Sequence, residues 1–349
     1  MKQVTALGLF SGGLDSLLAC RIISSQSIRV IALKFITPFF DYHLKENEIG
    51  YRETIREKYG LEVRVVDIGS GYLDLLKNPQ HGYGKHFNPC VDCKIFMLRR
   101  AAQLLPEYNA SFLFTGEVLG QRPMSQRRDT LRVIERDSGC EDILLRPLCA
   151  RRLPETKPER EGLVQRDKLY GLCGRGRGGQ IELAAEFGIT EYPPPAGGCI
   201  LTDPNLGARI EKFYTGRFHD GHRRFRVNDI RLLLVGRQFL LPQGIWLTMG
   251  RNQDENDRIS RLAEKGDWIL KMVERPGPTA LLRKAADKLA GGSPQETETL
   301  RLAAGLVARY ARKTGGRALP GEISIEGRGA LHTVRAEPLQ EELFAGWKI

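Results

Sequence analysis

Val4-Thr5-Ala6-Leu7-Gly8-Leu9-Phe10-Ser11-Gly12-Gly13-Leu14-Asp15-Ser16 decides how the first half of the chain is read. Its first seven residues form an apolar run of strand length, and residues 13–25 carry helical spacing. Between them the glycines let the backbone turn tightly and approach an anion. A helix start offers unpaired N–H groups and a positive dipole end, so a phosphate suits this loop. Ser11 and Ser16 add hydroxyl donors. Asp15 would repel a phosphate unless a divalent cation lay between them, which points to Mg²⁺. The bland alternative is a Gly-rich turn with an aspartate at the helix start. The order strand, loop, helix favours phosphate binding.

Working outward, residues 29–36 read as a second strand, 46–59 as a helix, and 62–68, 111–115 and 143–146 as further strands. Strands alternating with helices predict an α/β fold with a parallel sheet covered on both faces. Ligands of such sheets bind at the carboxyl ends of strands, where the loop above lies. The pattern breaks at Tyr192-Pro193-Pro194-Pro195. Beyond it we expect a smaller α+β domain. Its strands are read at 231–235, 244–249, 322–325 and 331–335, and its helices at 279–289 and 294–313. The expected division is 1–205, a basic aromatic linker at 206–225, and 226–349.

The chain has 349 residues and a formal charge of +11, which suits a polyanionic partner such as RNA. No apolar run reaches membrane-spanning length. Met1-Lys2-Gln3-Val4 leads straight into a strand-like segment, so no export signal and a cytoplasmic location are expected. Seven cysteines without an export signal give weight to metal binding or redox chemistry over structural disulfides. Asn88-Pro89-Cys90-Val91-Asp92-Cys93 places two thiols at a predicted helix start, where the pKa of a cysteine falls. Alone it is half a zinc site, a redox pair or chance. Pro195-Ala196-Gly197-Gly198-Cys199-Ile200-Leu201-Thr202 supplies an accessible third thiol. Three cysteines in two clusters would leave one position of a [4Fe–4S] cluster open. Cys20 and Cys149 read as buried, Cys140 as a surface loop, Cys173 as a weaker alternative ligand, and His81 and His86 as loop surface.

Ser11-Gly12-Gly13-Leu14-Asp15-Ser16 resembles the pyrophosphate loop of the PP-loop ATP-pyrophosphatase superfamily, whose adenine-nucleotide alpha hydrolase-like fold the first domain is expected to share. It does not resemble the phosphate loop of kinases, since no lysine follows the glycines. The two cysteine motifs are similar to those of tRNA 2-thiouridylases. Thr115-Gly116-Glu117-Val118-Leu119-Gly120-Gln121 with Ser125-Gln126, and Leu145-Arg146-Pro147-Leu148, resemble segments of tRNA 4-thiouridine synthases. The resemblance implies an ATP-dependent tRNA thiouridine synthase. In it Phe10, Ser11, Gly12, Gly13, Asp15, Ser16, Phe35, Thr115 and Gly116 hold ATP with Mg²⁺. Asp15, Cys90 and Cys199 are catalytic, the two cysteines as a persulfide-exchanging pair. In cluster-bearing members Cys90, Cys93 and Cys199 ligate iron, and the resemblance favours the cluster.

Gln121, Arg122, Gln126, Arg127, Arg175 and Arg177 are the expected RNA contacts. The stretch 208–226 interleaves basic residues with Phe213, Tyr214, Phe218 and Phe225, which could stack on bases or lie in a core. Met249-Gly250-Arg251-Asn252-Gln253-Asp254-Glu255-Asn256-Asp257 resembles a segment of the NFACT-R domain, an RNA-binding module. It is expected to replace the extra RNA-binding region of 4-thiouridine synthases. The expected partners are tRNA and a sulfur donor, sulfide or a persulfide carrier, with a homodimer as an option and no membrane. Two other readings stay open: a sulfur transferase acting on a small molecule, and a non-enzymatic RNA-binding protein.

Overall fold

The computed structural model of the chain describes residues 3–194, 199–215 and 225–349. It divides into two compact units, Met1–Gly207 and Ala208–Ile349. In the first unit, β1 (Thr5–Leu9), β2 (Arg29–Ile36), β3 (Glu62–Asp67), β4 (Phe112–Thr115) and β5 (Leu144–Leu145) form one parallel sheet in the order β3-β2-β1-β4-β5. Helices α1 (Leu14–Ser24), α2 (Glu48–Tyr59), α3 (Gly69–Leu75), α4 (Cys90–Leu104), α5 (Arg128–Ser138), α6 (Lys157–Arg160) and α7 (Gly178–Glu186) connect and follow the strands.

β1 and β4 are buried throughout, as strands with helices on both faces must be. Close packing also explains Gly8, where a Cβ would enter the Phe114 ring. The strand order reverses between β1 and β4, so the loops leaving these two strands flank the crevice where α/β sheets bind ligands. Gly116 closes that crevice from the β4 side: a Cβ there would strike the Asp15 carbonyl.

In the second unit, α8 (Pro204–Thr215) crosses the division between the units and α9 (Val227–Leu233) follows. The sheet is antiparallel, in the order β11-β10-β8-β9-β7-β6. Its strands are β6 (Arg237–Leu241), β7 (Ile245–Met249), β8 (Trp268–Met272), β9 (Thr279–Arg283), β10 (Gly321–Gly327) and β11 (Ala330–Ala336). The helices of this unit are α10 (Gln253–Arg261), α11 (Ala285–Lys288), α12 (Pro294–Tyr310) and α13 (Glu341–Phe344). The core gathers Phe239, Leu247 and Leu282 from the sheet with Leu302, Leu306 and Val307 from α12.

Two expectations are corrected here, and the choice left open for the aromatics of 208–226, stacking or core, is resolved. Residues 231–235 are no strand, because α9 runs through Leu233, with Asp229 accepting a hydrogen bond from the Arg226 N–H at its start. Residues 279–289 are no single helix. The first five are a fully buried central strand between β8 and β7, and only 285–288 are helical. Phe213, Tyr214 and Phe225 are not free to stack on bases. Phe213 packs on Phe225 and Trp246 at centroid distances of 4.0 and 5.2 Å, and all three are buried. Phe218 lies outside the described residues. Among the described residues, no helix is long and apolar enough to cross a membrane.

Candidate active site

The loop between β1 and α1 is held from three sides. The Phe10 N–H donates to the Leu33 carbonyl at 2.9 Å, fixing where the loop leaves the sheet. The Ser16 hydroxyl donates to the Gly13 carbonyl at 2.8 Å and lies 3.2 Å from the Ser11 hydroxyl. The Lys34 ammonium, delivered from β2, donates to the Ser11 carbonyl at 2.6 Å. Gly12 has φ +88°, a left-handed conformation that costs glycine least. Among the described residues no side chain caps α1, so its first N–H groups stay available to an anion. Phe10 and Phe35 are buried beside this loop and at the end of β2. Thr115 is buried and donates to Glu117 Oε2 at 3.0 Å.

Asp15 meets a residue more than a hundred positions away. Its Oδ2 accepts from Gln121 Nε2 at 3.0 Å. Asp15 Oδ1 and Gln121 Oε1 are both buried and have no hydrogen-bond partner among the described residues. Two unpaired buried oxygens beside a phosphate loop are the donor set of a hard cation, so these residues fit Mg²⁺. Gln121, read from sequence as an RNA contact, thus hydrogen-bonds the loop of Ser11–Ser16.

The other expected RNA contacts scatter in exposure. Gln126 is buried, and its carbonyl accepts from the Gly120 N–H at 2.7 Å. Arg127 is exposed and pairs with Asp129 at 2.9 Å. Arg175 is exposed and Arg177 half-buried. The Gly174 N–H donates to the Leu119 carbonyl at 2.8 Å, which ties the Arg175 and Arg177 loop to the loop of Gln121.

Behind the crevice lies a charge network that sequence reasoning missed. Glu117 is 3% exposed and accepts from Arg146 Nε at 3.0 Å, with the Lys94 ammonium at 3.6 Å. Arg146 also pairs with Glu135. Burial pushes the Glu117 carboxyl up, but Lys94 and Arg146 outweigh it and leave the carboxyl below its ordinary range. Both residues sat inside motifs already noticed. Their pairing was invisible because β4 and β5 become neighbours only in the folded sheet.

The cysteines are gathered from α4 and from the segment after residue 198. Cys90 opens α4, as its motif predicted, and Cys93 lies in the first turn. Asp92 accepts from the Gln80 and His81 N–H groups at 3.0 and 2.9 Å, pinning the preceding loop to the helix start. Tyr72 on α3 is buried and hydrogen-bonded to Cys93, and its hydroxyl feels the charges of Cys93, Cys199 and Cys90. All three thiols therefore lie near enough to act on one phenol, and Cys93 hydrogen-bonds it.

Their acidity departs from expectation. Burial pushes the Cys93 thiol up to about 12, outweighing its Tyr72 hydrogen bond and the nearby Lys94, and it raises Cys199 against a Leu201 backbone hydrogen bond. Among the described residues, no three Cys, His, Asp or Glu side chains stand at the spacing that holds a single metal ion. Pro195–Gly198 of the third motif lies outside the described residues.

The remaining cysteines sort by burial. Burial drives Cys20 up to about 12 and Cys149 to about 11, as core positions should. Cys140 is corrected: it is fully buried, with its thiol 3.6 Å from the Ser138 carbonyl. Cys173 is exposed. His81 Nε2 lies 2.9 Å from Asp137, so its ring braces the end of α5.

In the second unit the motif at 249–256 resolves into a brace and an arginine. Asn252 caps α10 through the Glu255 N–H at 3.0 Å. Asn256 accepts from the Thr279 N–H at 2.8 Å and donates to the Gly277 carbonyl at 3.3 Å. A Cβ on Gly250 would collide with the Asn256 side chain. Arg251 is left exposed, paired with Glu255 at 2.5 Å. Burial and the nearby Arg251 both disfavour the charge on Arg209, a pairing of cations that an anion would relieve. Arg237 lies over the Tyr310 ring at 4.6 Å and donates to the Gly250 carbonyl at 3.2 Å.

Comparison with known proteins follows the same division. Residues 1–152 match the family model described as thiamine biosynthesis protein (ThiI), and residues 236–348 match the model described as NFACT protein RNA binding domain. A curated relative, a tRNA sulfurtransferase of Marinobacter nauticus, is 31% identical over 153 residues, 42% of this chain and 29% of that protein. The chain thus spans under a third of that relative's length.

Among solved structures, a 4-thiouridine synthetase–RNA complex with bound ATP is 22% identical. It covers 53% of this chain and 41% of its own, at a TM-score of 0.38. The U34-tRNA thiolase NcsA from Methanococcus maripaludis with its [4Fe-4S] cluster is 20% identical, covering 61% and 68%, at a TM-score of 0.32. The C-terminal part of the fibronectin/fibrinogen-binding protein from Streptococcus suis is 13% identical, covering 74% and 94%, at a TM-score of 0.27. The chain therefore carries a ThiI-like segment on its parallel sheet and an NFACT-R-like segment on its antiparallel one.

Proposed function

We propose that this chain is an ATP-dependent tRNA sulfurtransferase. The observation that carries the reading is the pairing, within one unit, of an uncapped phosphate loop and three converging cysteines. Support comes from the ThiI match over residues 1–152 of that unit and from a relative named as a tRNA sulfurtransferase.

A uridine carbonyl oxygen attacks the α-phosphate of ATP and pyrophosphate leaves. The α1 N–H groups, Ser11 and Ser16 stabilise the charge that develops on the phosphates. Asp15, oriented by Gln121, would hold Mg²⁺, which supplies charge neutralisation between the phosphates. A persulfide donor charges Cys199. The terminal sulfur attacks the adenylated carbon, AMP departs, Cys90 attacks the remaining sulfur of Cys199, and the thiocarbonyl is released. The resulting Cys90–Cys199 disulfide needs a thiol reductant. The NFACT-R-like unit and the basic residues around Gln121 would hold the tRNA, and this unit's RNA-binding match supports that.

The test is sulfur incorporation into tRNA, read by nucleoside mass spectrometry, with wild type and Cys199→Ala. Cys199→Ala should lose thiolation at least about a hundredfold while still cleaving ATP, since adenylation precedes sulfur transfer. Normal thiolation by this variant would overturn the assignment.

A further inference from the structure

The phosphate loop carries no lysine of its own, yet β2 delivers one to it. β2 is buried from its second residue onward, and Lys34 is the one charged side chain among apolar neighbours there. Its side chain is only 6% exposed. A buried ammonium is costly unless it is paired and hydrogen-bonded.

Two of its three protons are accounted for. One goes to the Ser11 carbonyl and one toward Asp41 Oδ2, each at 2.6 Å. The ammonium also faces the space over Gly12. The direction in which a side chain would project from left-handed Gly12 ends 4.0 Å from the Lys34 ammonium and 3.8 Å from the Tyr51 hydroxyl. The missing side chain therefore leaves a nook over the loop, bordered by a cation and a phenol. Burial, and then Asp41, hold the Tyr51 hydroxyl in its protonated, donating form.

We propose that Lys34 and Tyr51 bind the phosphate that sits over Gly12, the part of the nucleotide that leaves as pyrophosphate, and that Asp41 is the counter-ion of Lys34 while the site is empty. This rests on the nucleotide reading of the loop and adds its missing cation, drawn from the second strand instead of the loop itself. As pyrophosphate forms, Lys34 neutralises charge on the leaving group, and Tyr51 donates to the same oxygens. Asp41, 39% exposed, turns to solvent.

The experiment is calorimetric titration of the full chain with magnesium pyrophosphate and with magnesium ATP. The variants are Lys34→Met, Lys34→Arg, Tyr51→Phe and Asp41→Asn, each checked for folding by its melting temperature. Loss of one charge-assisted contact should weaken pyrophosphate binding about 10–100-fold in Lys34→Met. Lys34→Arg should recover part of that, and Tyr51→Phe should lose about 3–10-fold. Asp41→Asn separates the proposal from a structural brace. A ligand role leaves binding unchanged or tighter, whereas a brace weakens it as Lys34→Met does. The proposal falls if Tyr51→Phe and Lys34→Met bind as wild type does, or if Asp41→Asn matches Lys34→Met. Tyr51→Phe keeps the test open should Lys34→Met fail to fold. Wild type that binds neither ligand would instead overturn the nucleotide reading.

Discussion

Glu117 shows at the scale of one residue how the site is held rigid. Its carboxylate is buried between Arg146, Thr115 and Lys94, one position after Gly116, which touches the Asp15 backbone. Replacing Glu117 with Gln leaves Arg146 buried with only Glu135, and breaking such a pair costs about 3–5 kcal/mol. Denaturant unfolding of wild type and Glu117→Gln at neutral pH should show that difference. Its pH dependence has a definite sign. The folded carboxyl lies below its unfolded value, so the stabilisation is complete above about pH 4.3 and is lost as pH falls through the lower folded value. A gap between the two proteins that stays constant down to pH 2 would contradict the pairing. Cys93 carries the complementary lesson. A helix start alone argues for an acidic thiol, but burial decides the outcome, and burial is not written in a Cys-x-x-Cys spacing.

Elements were legible where one periodicity sufficed. β2 was read with its observed limits, because an apolar run bounded by turns has few other interpretations. Residues 279–289 failed because Leu281, Leu282, Ala285 and Leu289 also fit helical spacing. What makes β9 a strand is long-range: pairing with β7 and β8, and a fully buried Arg283 whose partners are Asp267 at 2.8 Å and Asp229 at 3.3 Å. The contact of Gln121 with Asp15 was hidden for the same reason, since it depends on β1 and β4 lying side by side. Lys34 was passed over in favour of its neighbour Phe35, because a lysine inside a strand carries no motif. The motif at 249–256 makes a prediction at this scale. Asn256 ties α10 to the start of β9 through two backbone groups, so Asn256→Ala should lower unfolding free energy by about 2–3 kcal/mol. Asn252→Ala, which removes only a cap, should cost about 1 kcal/mol. Equal losses in a chemical denaturation series would contradict this division of labour.

For the whole molecule, two units with different sheets carry two kinds of evidence. The parallel sheet places a phosphate loop at its switch point and brings three cysteines near Tyr72. The antiparallel unit buries Phe213, Tyr214, Phe225 and most of its other described aromatics, and keeps Arg209, Arg237 and Arg251 near one motif. RNA contact there is accordingly expected through phosphates, with little base stacking. The central claim is that ATP cleavage and sulfur insertion into tRNA are one coupled reaction. The most direct measurement supplies the full chain with unmodified tRNA, ATP, Mg²⁺, a persulfide donor and a thiol reductant under anaerobic conditions, then counts AMP and thiolated nucleoside together. The account predicts one AMP and one pyrophosphate for each sulfur-bearing uridine, with both absent when tRNA is omitted. ATP cleaved to ADP and phosphate, or AMP released with no thiolated nucleoside in the tRNA, would contradict it.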